Sequence, residues 1–425
     1  MRFEARTEWD EAVLASQNYP HFMQSAAWGE FKTGSGWVPE HEYVRDANRS
    51  HVIAMQEFNR KAFGMGNLIH APRVSGVTTE NLGAITAHAK SFGTGKNLAF
   101  KLETYQQNDP VLIEAFKADG WVEARPSQYR HSVTVTLDKE GEEGFFASFN
   151  SKARNHIRTA KKAGIEISRV PFTEENIVSM LGLVGGTRKR SGAFFRSHDY
   201  LRHVWGTFEK YDQAFMYQAH HEGQLLAGVI VFSYGTHAWY KDGGSIRTQK
   251  RLPAPHLLQW TIIQDLQAAG FTHYDLGNIP DPENITAGAM EGLYHFKTGF
   301  SPDTDFYMPA FEMPLNGWQK YWNRGEGKLL AAYSRIRNAI PTRKRVPAVL
   351  GHRGSTQIHV RVEAILHCIN ATDTPEAFRQ GSPGGECHQE SVILATKQNC
   401  LACGGGIDAH LNRERGRFTV KRILI

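Results

Sequence analysis

Apolar and polar positions alternate in two stretches that share one order of elements. In the first, residues 43–52 form a strand pair about a polar turn, residues 79–92 carry helical periodicity, and residues 98–103 alternate again as a strand. In the second, residues 216–225 form the strand pair, Pro255 to about Ala269 the helix, and residues 273–276 the strand. Tyr43 and Tyr217, Val52 and Leu226, and Leu102 and Leu276 are each 174 positions apart, which predicts a structural duplication in a mixed α/β (α+β) chain.

Between the copies, Phe145, Phe146, Phe149, Ala153, Ile157 and Ala160 recur at helical spacing, and Gly164 stops the helix before a strand opens at Ile165. The opposite face carries Lys152, Arg154, Arg158, Lys161 and Lys162, with no acidic residue between Ser151 and Gly164. Such a face is either merely solvated or suited to phosphates. Near the amino terminus, residues 24–32 read as a short helix opening at a serine cap, with Trp28 and Phe31 on one face and Lys32 at its end.

After the second copy comes Gly292-Leu-Tyr-His-Phe-Lys-Thr-Gly-Phe300, expected where the core runs into its last strand. Lys297 stands there among Tyr294, Phe296 and Phe300. Its ammonium must either snorkel to water, as an edge-strand lysine does, or meet negative charge. Residues 305–308 predict a further strand, and 318–340 a helix ended by Pro341.

Composition narrows the class without naming it. A chain of 425 residues with 41% hydrophobic residues can build two ordinary cores. The opening residues mix both charges, and no apolar run approaches the roughly 18 residues of a membrane span, so a cytoplasmic protein is expected. The net charge of +6 is concentrated late: residues 341–425 hold 12 Lys+Arg against 7 Asp+Glu, so the rest is near neutral and global charge says little about nucleic acid. All four cysteines, Cys368, Cys387, Cys400 and Cys403, lie in that same segment, where periodicity is lost; the core uses neither disulfides nor a thiol nucleophile, and the tail is expected to be poorly ordered.

Several motifs then fall in a recognisable order: Gln24-Ser-Ala-Ala-Trp-Gly-Glu-Phe-Lys32, Ile69-His-Ala-Pro-Arg73, Ser151-Lys-Ala-Arg154, Arg196-Ser-His-Asp-Tyr200, Trp239-Tyr-Lys-Asp-Gly-Gly-Ser245, His256-Leu-Leu-Gln-Trp260, Tyr274-Asp-Leu-Gly277 and the lysine motif. Over about residues 20–340 this set resembles the Fem family (FemABX) of non-ribosomal peptidyl transferases, in the compact form without the coiled-coil arm. The resemblance implies two tandem acyltransferase-like domains of the GNAT type, the second inserted before the final strands of the first. It places precursor binding in residues 1–141 with about 302–340, catalysis and tRNA contact in 142–301, and leaves 341–425 as a tail.

The resemblance further implies aminoacyl transfer from aminoacyl-tRNA to the side-chain amine of a peptidoglycan precursor stem peptide, nucleotide-linked or lipid-linked. No cofactor or metal is implied, and a monomer with peripheral contact at the inner membrane face is expected. Lys297 matches the family's proposed stabiliser of the tetrahedral intermediate and Phe296 the aromatic that places the tRNA end. Lys32, Glu103, Arg196, Tyr200 and Tyr240 match the precursor-binding pattern, and Arg154, Arg158 and Lys162 are candidates for tRNA contact. The acceptor amine, with a pKa of about 10.4 in water, must lose a proton; Glu103 and Asp275 are the carboxylates to consider, each as fit for a structural role.

Other readings remain open at this point. A GNAT enzyme using coenzyme A should cradle a pyrophosphate at a glycine-rich helix start, whereas residues 247–255 contain no glycine and two prolines. Gly93-Thr-Gly-Lys96 reads as a helix terminator. A Fem-like or GNAT-type N-acyltransferase acting on another amine is the nearest alternative. A zinc-stabilised binding protein, using Cys387, His388, Cys400 and Cys403, is a lesser one.

Overall fold

The computed structural model describes residues 7–45, 52–61, 66–93, 95–138, 141–191, 196–247, 252–285, 288–325, 408–414 and 417–424. The tail cysteines and His388 lie outside the described residues, as does most of the tail expected to be poorly ordered. Its described part is an antiparallel hairpin, Asp408–Glu414 with Arg417–Leu424.

The first sheet takes β1 (Val38–Arg45), β2 (Val52–Lys61), β3 (Asn67–Val74), β4 (Asn97–Thr104) and β5 (Val122–Ala124). Helices α1 (Glu8–Ser16) and α2 (Ala26–Thr33) precede it, α3 (Thr79–Ser91) crosses from β3 to β4, and α4 (Pro110–Ala118) follows. β1–β2–β3 is an antiparallel meander, and α3 carries the chain to β4, parallel to β3. The Ser25 hydroxyl caps α2 by accepting from the Trp28 amide at 3.2 Å. Leu82, Ile85 and Ala89 of α3 pack on Ile69, Phe100 and Leu102 of the sheet.

The chain then adds β6 (His131–Thr136), α5 (Gly141–Ser148), α6 (Ser151–Lys162), β7 (Glu166–Val170), α7 (Glu174–Ser191), α8 (His198–Lys210), β8 (Ala214–His221), β9 (Gln224–Tyr234), β10 (His237–Ser245), α9 (Ala254–Ala268) and β11 (His273–Asn278). Here β8–β9–β10 is the antiparallel meander, and α9 crosses to β11, parallel to β10. The duplication therefore appears as geometry: β1 answers to β8, β2 to β9 and β4 to β11, with a crossover helix at the same place in each.

Closing strands join the halves. After α10 (Ala289–Lys297) and β12 (Asp305–Phe306), β13 (Ala310–Pro314) returns to the first sheet between β4 and β5. β6 and β12 pair in the second sheet, beyond β11, although both fall in stretches expected for the first unit.

Two local expectations are corrected. The helical run 145–160 is two helices, because the Asn150 side chain accepts the Ala153 amide at 2.8 Å and caps a new start. The lysine motif is no strand edge: Ala289–Lys297 is helical, and the turn that follows brings Phe300 into the core, 5.5 Å from the half-buried Phe296 ring. Of the helix expected over 318–340, residues 319–325 are helical and the rest lies outside the described residues.

Candidate active site

β10 and β11 run parallel from His237–His273 to Trp239–Asp275 and then part. β10 shifts register between Tyr240 and Asp242, and β11 shifts against β6 between Asp275 and Asn278. The two strands thus stop pairing at their carboxyl ends, and such a strand crevice is the usual place for a ligand in sheets of this kind. Gly277, at φ 80°, turns the Asn278 carbonyl, and Gly243 leaves room for the Tyr240 ring to lie against the backbone.

Lys297 reaches in from the last turn of α10. It is 4% exposed, and its Nζ donates to the Asn278 carbonyl at 2.7 Å and lies 5.7 Å from the Tyr240 ring centroid. Burial pushes the ammonium down to about 8, against the opposing field of Asp275. It is thus a cation in a dry site, ready to lose its proton just above neutrality.

Asp275 is fixed from three sides: Oδ2 accepts from the Tyr105 hydroxyl at 2.8 Å and the Tyr129 hydroxyl at 3.3 Å, and Oδ1 from the Gly277 amide at 2.6 Å. Burial raises its pKa, with Tyr105 and Gly277 opposing.

A second group lies where α2 meets α8 and the first sheet. Lys32 is half-buried, with Nζ 4.8 Å from the Trp37 ring and 5.7 Å from that of Trp28. Arg60 lies 5.3 Å from the same Trp37 ring, and Arg196 sits 5.1 Å over Tyr200, whose ring meets Phe31 edge-on at 5.0 Å. Burial, then Arg196 and Arg60, depress Lys32 to about 7. Three neighbouring cations gathered this way suit an anion that arrives with the ligand.

Glu103, on β4, is buried and accepts from His70 Nε2 at 3.0 Å, from the Ser127 hydroxyl, and from the Ser127 and Gln128 amides at 3.1 Å. Burial opposes its ionisation, but His70, Lys101 and Ser127 outweigh burial and hold it down to about 2. A carboxylate that acidic is a poor proton acceptor at neutral pH, so orientation suits it better than base chemistry.

The inner side of α6, Ala153, Ile157 and Ala160, packs into the core, leaving Arg158 and Lys162 exposed. Arg154 differs from them: its guanidinium donates to the Phe149 carbonyl at 2.6 Å and the Phe146 carbonyl at 3.3 Å, tying the end of α5 to α6. Below that helix lies a cleft of about 300 Å³ lined by Lys152, His156, His256, His295 and Phe296 among others. His156 Nδ1 and His256 Nε2 are hydrogen-bonded at 3.1 Å, and the Phe296 ring meets His256 edge-on at 5.0 Å. Burial, then His156 and Lys152, keep His256 down to about 3, so it is neutral at working pH.

The structure thus brings Lys297 to Tyr240, and Lys32 to Arg196 and Tyr200. Phe296 faces the histidine cleft rather than the Lys297 crevice. Trp37, Arg60, His156 and the two tyrosines on Asp275 escaped the sequence reading. His70 and His256 stood inside quoted motifs, but only the fold supplies their partners.

A family described as Acetyltransferase (GNAT) domain matches residues 147–310. Among curated proteins, the chain is similar to a UDP-N-acetylmuramoylpentapeptide-lysine N(6)-alanyltransferase from Weissella viridescens, at 23% identity over 311 residues, covering 68% of this chain and 90% of that protein. Among solved structures it is similar to FemX, at 18% identity and a TM-score of 0.64, over 76% of this chain and 98% of that one. That last likeness concerns the fold. Motif order, relative and fold agree in likening this chain to the Fem-type transferases, on a fold of GNAT-like domains.

Proposed function

We propose that the protein is an aminoacyltransferase that moves an amino acid from aminoacyl-tRNA to the side-chain amine of a muramyl pentapeptide precursor, as in interpeptide-bridge formation. The observation that carries this reading is Lys297, a buried ammonium pinned at the mouth of a strand crevice. The acceptor amine adds to the ester carbonyl, the carbonyl electrons move onto oxygen, and collapse of that oxyanion breaks the ester C–O bond. The ribose hydroxyl leaves with the proton given up by the amine. Lys297 supplies the positive charge that the oxyanion needs, in a site where water does not screen it.

Lys32, Arg60 and Arg196 fit the diphosphate of the acceptor, with Tyr200 and Tyr240 offering hydrogen bonds to its sugar and peptide and Glu103 orienting His70 near Trp37. Phe296 and the cleft beneath α6 fit the aminoacylated end of the tRNA. The prolines at 253 and 255 remove backbone donors from the start of α9, which disfavours a coenzyme A pyrophosphate there. Both substrates of the nucleotide-linked reaction are cytoplasmic, and a lipid-linked acceptor would draw the protein to the inner membrane face; no described helix is long and apolar enough to cross a membrane.

The test is direct. Purified protein, a pool of aminoacyl-tRNAs with labelled amino acids and the nucleotide-linked pentapeptide should give a product heavier by an amino-acid residue in mass spectrometry. Absence of product with nucleotide-linked and lipid-linked acceptors alike would move the assignment to another amine.

A second expectation separates the residues of α6. Replacing Arg158 and Lys162 by alanine should weaken tRNA use and flatten its salt dependence by about two counter-ions. Arg154→Ala should in addition cost about 1–2 kcal/mol of stability, because it leaves the carbonyls at the end of α5 without their charged donor. Equal salt slopes in wild type and the double variant would return that face to the solvated reading.

A further inference from the structure

The three donors on Asp275 come from both halves of the molecule. Gly277 is on its own strand, whereas Tyr105 directly follows β4 and Tyr129 lies between β5 and β6. The proton on Tyr105 has a fixed direction. Trp239 Nε1, which can only donate, gives its hydrogen bond to the Tyr105 oxygen at 3.2 Å, leaving the Tyr105 hydrogen for Asp275.

Arg73 fixes the rings themselves. Its guanidinium lies 5.2, 4.8 and 4.9 Å from the ring centroids of Tyr105, Tyr129 and Tyr307 and donates to the Tyr129 carbonyl at 2.6 Å. It holds this place with φ 55°, a strained value for a residue with a side chain, at the end of β3. Asp305, the nearby second carboxylate, is engaged elsewhere, by the Ser132 hydroxyl at 3.0 Å and the Thr134 hydroxyl at 2.6 Å.

We propose that Tyr105 and Tyr129 are positioning residues that keep Asp275 an ionised counter-charge to Lys297, so that residues flanking the first sheet govern the charge of the cation that α10 holds against the second. This rests on the reading of Lys297 as the electrostatic catalyst. The groups that bear on the pair are Tyr240 beside Lys297, and Tyr105, Tyr129, Tyr307, Arg73 and Asp305 around Asp275. Asp275 acts on Lys297 through space, without a direct ion pair, and opposes the burial that lowers it. Removing the Tyr105 hydroxyl lets Asp275 take up a proton, and Lys297 then loses the charge that keeps it cationic.

The experiment reads Lys297 itself. In protein carrying ¹³C-enriched lysine, the Lys297 side-chain signal, identified by its loss in Lys297→Met, is titrated by NMR without any substrate. Tyr105→Phe and Asp275→Asn should each lower its midpoint by at least about half a pH unit. Tyr129→Phe, which removes the longer bond, should lower it less, and Tyr105→Phe added to Asp275→Asn should lower it no further. In turnover, the alkaline limb of kcat should move to lower pH in Tyr105→Phe with the acceptor KM unchanged.

A midpoint unmoved in Tyr105→Phe overturns the proposal, whether or not Asp275→Asn moves it. Both phenylalanine variants keep the rings against Arg73, so they carry the test should Asp275→Asn fail to fold. Because the titration needs no acyl transfer, it stands or falls separately from the substrate assignment.

Discussion

Lys297→Met should lower kcat by about two to three orders of magnitude, the usual loss when one oxyanion donor is removed from a water-poor site, while the acceptor dissociation constant stays within about twofold. The split follows from placement. Lys297 bonds a backbone carbonyl and faces the Tyr240 ring, whereas the cations suited to the acceptor's anion sit on α2, β2 and before α8. The folded protein should lose no stability, since methionine fills the stem's volume and removes the cost of keeping an ammonium out of water. Turnover in wild type should rise with pH as the acceptor amine deprotonates and then level or fall as Lys297 loses its proton near pH 8. Lys297→Arg, charged at every accessible pH, should abolish that alkaline limb even though its fork fits poorly beside Gly277. Turnover within about threefold of wild type in Lys297→Met, measured with saturating substrates, would remove the electrostatic role.

What the sequence made legible was local. The strand pairs, α3, α9 and the 174-residue offset are set by neighbours a few positions apart, and the structure has them at nearly the expected bounds. Gly164, at φ 75°, ends α6 as its position suggests. Two local conflicts were decided by chemistry that periodicity does not see. Asn150 divides a helical pattern with one side-chain hydrogen bond. In the lysine motif an edge-strand lysine was one reading, but Ala289–Lys297 is a helix and Lys297 points inward from its last turn.

The site itself was half legible. Single residues stood out because a lysine or arginine among aromatics is unusual, yet their relations are long-range. Asp275 meets Tyr105 across 170 positions and Tyr129 across 146, and β13 reaches β4 across some 200. Nothing in one sequence encodes such pairings. The sequence could therefore suspect Asp275 as a base, while the fold gives its lone pairs to two hydroxyls and an amide.

Acceptor binding should be coupled to proton uptake at Lys32. In the free protein, burial and the neighbouring Arg196 and Arg60 bring that ammonium down to about 7, so about half the molecules carry a neutral amine there at pH 7. A diphosphate diester keeps its charge throughout this range and binds the ammonium form, which raises the pKa in the complex. The sign is then fixed: binding takes up about half a proton at pH 7 and nearly one at pH 8.5, and the dissociation constant rises by up to about tenfold per unit above pH 7.5. Calorimetry in buffers of different ionisation enthalpy measures the uptake. Lys32→Met should weaken binding about a hundredfold at pH 6, where the wild-type ammonium is intact, and make it nearly independent of pH. Lys32→Arg should recover much of the affinity with the same flat profile, because guanidinium does not titrate here. If wild type and Lys32→Met share one pH slope, the proton is taken up elsewhere, and the cation cluster at Trp37 is not where the acceptor's anion lies.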